Sequence, residues 1–103
     1  MPSFRSQLNI TALRPGHAPE AVMAAAVAAL AESHHVEGNQ LDIVAGVPRI
    51  TLRYTVEESG WAQENATACA SAALMRAAVE RVAISERLVV LRRIRGRWSP
   101  VNR

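Results

Sequence analysis

The segment Arg87–Trp98, RLVVLRRIRGRW, holds five arginines, no acid and a closing tryptophan. Guanidinium groups at this density suit phosphate oxygens, which they engage through charge-assisted, bidentate hydrogen bonds. Arg92, Arg93, Arg95 and Arg97 are therefore candidate phosphate or partner contacts, and Trp98 offers a ring on which a base can stack. Binding of that kind is salt-sensitive and weakly selective. The competing reading is a sheet strand: Leu88–Leu91 buries itself and the arginines beyond it emerge into water, as charge clusters more often do. Arg92 and Arg93 project to opposite sides of a strand, so one of them is placed to pair with an acid such as Glu80 or Glu86. Trp98, followed by Pro100 and Val101, equally suits a fold-back over the sheet edge.

Other reactive residue types are sparse. The three histidines are His17, His34 and His35. A zinc site needs three or four convergent ligands. His34 and His35 are adjacent and diverge on a helix, so HHVE with Asp42 reads as a polar helix end, where the dipole favours histidine. His17 sits in the turn PGHAP. Cys69, the single cysteine, excludes an internal disulfide and lies in an alanine-rich stretch without a partner thiol. It reads as a small buried apolar residue in a reducing compartment. GxGxxG, P-loop, HExxH and GxSxG motifs are absent. Neither a metal, a cofactor nor a catalytic residue is nominated.

Charge is unevenly distributed along the 103 residues. Residues 1–86 carry six arginines against nine acids, whereas residues 87–103 carry six arginines and no acid. The net charge of +3 therefore hides a mildly acidic body and a basic end. Lysine is absent, and alanine is abundant. That composition suits a GC-rich bacterial genome, so the arginine count alone is not functional evidence. No apolar run approaches the roughly 20 residues that cross a bilayer, and MPSFRSQLNI has no apolar leader core. The expectation is one soluble cytoplasmic domain spanning 1–103, with a basic C-terminal end at 87–103.

The elements that must position these residues follow from periodicity. SFRSQLNITAL alternates, with Phe4, Leu8, Ile10 and Ala12 on one side and Arg5, Gln7, Asn9 and Thr11 on the other, a half-buried strand. A helix is predicted over about 19–33, with Met23, Val27, Leu30 and His34 on one face. A second strand holds Leu41 and Ile43, AGVP makes a hairpin turn, and RITLRYTVE alternates through Ile50, Leu52, Tyr54 and Val56. Ser59 is placed to cap a second helix over about 60–83, buried through Ala68, Ala72, Met75, Val79 and Val82. A fourth strand follows over about 87–94.

The order βαββαβ predicts an α+β fold, the ferredoxin-like plait: a four-stranded antiparallel sheet with two helices on one face, strands two and four at its edges. The uncovered face would carry Arg5, Gln7, Asn9 and Arg53, with strand four's parity undecided between Val89, Leu91, Arg93 and Leu88, Val90, Arg92. An RNA-reading sheet needs aromatics on its central strands. Phe4 and Tyr54 share parity with the core, so that route is disfavoured. The function expected is a non-catalytic binding or protein-interaction module, a homodimer joined through the open face or an edge strand. The alternatives are a nucleic-acid-binding protein using the arginine cluster, and a small enzyme with its site between subunits. Trp61 and Trp98 are expected to pack as flaps at the sheet ends.

Overall fold

Alternating burial makes the first segment a strand, β1 (Ser3–Leu13), with Phe4, Ser6, Leu8 and Ile10 turned into the core. The computed structural model describes residues 1–101; Asn102 and Arg103, the end of the basic segment, lie outside the described residues. Helix α1 (Glu20–Ala31) follows, and its buried stripe is Val22, Ala26 and Leu30 at steps of four. Met23 and Val27 flank that stripe half-buried, and His34 lies beyond the helix end. Ala26 carries only a methyl group, so the stripe centred on it lets the helix lie close to the sheet. Strands β2 (His35–Val44) and β3 (Val47–Thr55) form a hairpin. Ala45 and Gly46 carry it with φ of 52° and 80°, the two left-handed residues of a tight hairpin turn.

Helix α2 (Trp61–Val79) buries Ala68, Ala72, Met75 and Val79, the face expected from its spacing. It ends four residues earlier than the expected 83, and Val82 packs against the core from the following turn. Its start also differs from expectation. Gly60 is the cap residue, and it is Glu64 that reaches back, its Oε2 accepting the backbone N–H groups of Ser59 and Gly60 at 3.0 and 3.2 Å. A carboxylate at that point satisfies orphan amide donors and opposes the positive helix end. The residues buried on both helices belong to the same cluster as those of β1 and β3, so the helices share one face of the sheet.

The four-stranded plait expected from the sequence is corrected here. The sheet has five antiparallel strands in the order β2-β3-β1-β4-β5. Strand β4 (Ala83–Ile94) lies inside the sheet, between β1 and β5 (Arg97–Pro100), so the two edges are β2 and β5. The reason is Arg95 and Gly96, with φ of 51° and 79°, which turn the chain back on itself as Ala45 and Gly46 do. Ile94 and Arg97 pair directly across this turn, so the residues after it become a strand.

Strand β4 begins at Ala83 and not near Arg87, because a bulge divides it. Gln7 pairs with Val89 and Asn9 with Glu86, so Arg87 and Leu88 together oppose Leu8. Arg87 takes φ of 55°, the left-handed backbone a bulge exploits. An extra residue reverses parity. Ala83 and Ser85 are buried before the bulge, while Val90 and Arg92 stand opposite the core residues Ser6 and Phe4 after it. That reversal settles the orientation the sequence left undecided.

Candidate functional site

The uncovered sheet face gathers side chains from four strands around one indole. Trp98 of β5 stands opposite Arg93 of β4, which shares its face with Leu91 and, across β1, with Arg5 and Gln7. The guanidinium of Arg5 lies 4.2 Å from the Trp98 ring centre, that of Arg53 5.5 Å and that of Arg93 5.6 Å. A cation over an aromatic face is held by the ring quadrupole for about 0.5–1 kcal/mol at exposed sites. Arg53 also meets Glu37 of β2 at 3.3 Å, out of hydrogen-bond line, so its buried Nε has no hydrogen-bond acceptor among the described residues. Asn9, further along β1, accepts a hydrogen bond from Arg49 Nε at 3.1 Å. Arg5, Gln7, Asn9 and Arg53 therefore all stand on the open face as their spacing predicted, half-buried rather than fully exposed.

Arg92 departs from its neighbours. It lies opposite Phe4, on the helix side, and is only 8% exposed. Its two terminal nitrogens donate to Glu64 Oε1 and Asn65 Oδ1, both at 2.8 Å, and its guanidinium lies 3.9 Å from the Trp61 ring centre. The acid it pairs with is Glu64, not Glu80 or Glu86. Hydrogen bonding to Arg92, reinforced by the Ser59 amide, holds the Glu64 carboxyl below the usual carboxylate range. Arg92 is thus committed to joining β4 to the start of α2. Arg95 and Arg97 are exposed at the β4–β5 turn. Glu80, for its part, accepts from the Ser85 backbone and hydroxyl, which lowers its pKa.

A second surface lies at the opposite end of the sheet, on the helix side. Helix α1 has 12 residues and spans about 18 Å. Strand β2 has 10 residues and spans about 33 Å. The hairpin therefore outruns the helix, and its inward-facing residues lose their cover: Leu41 is 62% and Ile43 65% exposed. They face a groove of about 340 Å³ closed on its other sides by Leu13, Val22, Met23 and Pro48.

The remaining candidates do not converge. His34 donates to or accepts from Ser71 Oγ at 2.6 Å and lies against the Tyr54 ring, and burial lowers its pKa. His35 is exposed at the start of β2, and His17 lies in an exposed turn. Among the described residues, no three His, Cys, Asp or Glu side chains cluster as a metal site would require. Cys69 is buried on α2. No helix among the described residues is long and apolar enough to cross a membrane.

Comparison with protein families, curated proteins and solved structures finds no match.

Sequence reasoning therefore located most of the open face but missed its aromatic. Trp98 reaches that face because the Arg95–Gly96 turn sends it back beside β4, so it is neither a flap at a sheet end nor part of a loose arm. The only local signal was Gly96 after Arg95, weaker than the asparagine–glycine pair that marks a tight hairpin. Trp61 is 57% exposed and covers Arg92, a role the spacing of the chain did not reveal.

Proposed function

We propose that this chain is a self-associating binding module whose copies join through β2. The observation that supports it is the inequality of the two sheet edges. Strand β5 is four residues long, carries Arg97 and ends in Pro100, features that discourage further pairing. Strand β2 is ten residues long, has no strand on its outer side among the described residues and carries exposed Leu41, Ile43 and Val44. Two such edges paired antiparallel give a two-fold dimer with one continuous sheet. The same contact draws the neighbouring groove under cover, because Leu41 and Ile43 belong to both. A stable pair needs about 800 Å² from each protomer, roughly an eighth of the 6059 Å² surface. The open face suits this purpose less. A two-fold contact there sets Arg5, Arg53 and Arg93 against their own copies, and like charges repel.

The test is the double substitution Leu41→Lys and Ile43→Lys. Both side chains are well over half exposed in the single chain, so the fold tolerates the change. Completing their burial is worth about 1–2 kcal/mol each, or about 4–8 kcal/mol across four side chains in a dimer. Sedimentation should report a wild-type dimer and a weakening of at least about a thousandfold in the variant. Equal association of the two proteins would refute this interface.

A further inference from the structure

The open face around Trp98 is unlike an ordinary solvated sheet surface. Three guanidinium groups from three different strands, Arg5, Arg53 and Arg93, crowd within 4.2 to 5.6 Å of one indole centre. Like charges brought together in this way repel, and the ring offsets only part of that cost. Among the described residues, Glu37 is the carboxylate that reaches one of the three, and it leaves the buried Arg53 Nε without a hydrogen bond. A surface that gathers three guanidinium groups against one carboxylate and is covered by neither helix is complementary to an anion. The shape adds a second requirement. The indole and the guanidinium groups are flat π-systems gathered on one face of the sheet, and Gln7 shares that face. Phosphates matched to arginines and bases stacked on aromatic and guanidinium planes are the two halves of single-strand recognition.

We propose that this face binds single-stranded nucleic acid, with Arg5, Arg53 and Arg93 on the phosphates and Trp98 as the stacking platform. The proposal does not rest on association through β2, whose Leu41 and Ile43 line the groove on the helix side, although Glu37 of β2 is the acid that meets Arg53. Arg92, held by Glu64, takes no part.

The experiment is fluorescence anisotropy of labelled oligothymidylate and oligouridylate against the purified protein over a range of salt. Three phosphate contacts on a single strand give a log–log salt slope of about −2. Trp98→Ala should weaken binding roughly tenfold or more. Arg93→Ala, an exposed position that leaves the fold intact, should weaken it and flatten the slope by about 0.7. Arg81→Ala removes an equal charge from the exposed turn after α2 and should have little effect. Binding of either oligomer in this pattern supports the proposal, and a preference between them reports on the sugar. Three results overturn it: no saturable binding at low salt, an equal loss in Arg81→Ala and Arg93→Ala, or an acidic peptide that binds as tightly as the oligomers.

Discussion

Tyr54 ties three elements together, and its hydroxyl is the point at which the core can be probed most cleanly. The ring is fully buried on β3, stacked 6.3 Å from Phe4 and tilted against His34 at 5.5 Å. Its hydroxyl meets Ser6 Oγ of β1 at 2.7 Å and donates to the Ala68 carbonyl of α2 at 3.2 Å. Tyr54→Phe keeps the ring and removes both contacts. Losing the bonds to Ser6 and to the Ala68 carbonyl costs about 1 kcal/mol together, because the longer Ala68 contact is the weaker of the two, and the buried Ser6 hydroxyl left without its partner adds about 1 kcal/mol more. A total near 2 kcal/mol lowers Tm by roughly 10 °C in a domain of this size. Ser6→Ala in the Tyr54→Phe background should then recover about 1 kcal/mol of coupling, because no orphaned hydroxyl remains. Urea denaturation of the wild type, the two single variants and the double variant measures all four corners of that cycle. A Tyr54→Phe protein as stable as wild type, or strictly additive effects, would refute the reasoning. Tyr54 is also the only tyrosine, so its ionisation can be followed directly by absorbance. Burial pushes its pKa up from 10.0 to about 12. The raised value favours the protonated fold: that stability is fully present below pH 10 and is lost as pH rises through about 12.

The acid limb of stability should depend on Glu64. Its folded pKa lies below the ordinary 4.5, so its contribution is present above that value and is lost as pH falls through the folded pKa; Glu64→Gln should flatten the melting-temperature profile below about pH 5. The β4–β5 turn holds Arg95 in a left-handed conformation that costs an arginine about 1 kcal/mol, so Arg95→Asn should raise Tm by a few degrees in calorimetry. A lower Tm in that variant would mean the arginine makes a compensating contact.

Much of the fold was legible because it rests on strong periodicity. The alternation of β1 and β3 has no competing interpretation, and the face of α2 follows from Ala68, Ala72, Met75 and Val79. The fifth strand was not legible for a local reason. Arginine followed by glycine is a poor hairpin signal beside the favoured asparagine–glycine pair, so tertiary pairing with β4 overrides a weak turn preference. Parity in β4 was hidden by the bulge at Arg87, which no two-residue period can represent. The open face suffered from both omissions. Arg5 and Arg53 could be placed by counting, but their convergence on Trp98 depends on β5, and which of Arg92 and Arg93 turns toward the helices depends on the bulge. The apolar end of the β2–β3 hairpin was illegible for a different reason: it arises from a mismatch in length between a helix and a strand, which neither pattern contains alone.

The most direct test of the proposed association is amide hydrogen exchange followed as a function of protein concentration. Pairing through β2 predicts that protection across His35–Val44 rises as the protein is concentrated, while the amides of Arg97, Trp98 and Ser99 at the other edge exchange at an unchanged rate. A concentration-independent pattern in which the β2 edge stays open, or protection that grows on β5 instead, would contradict the account.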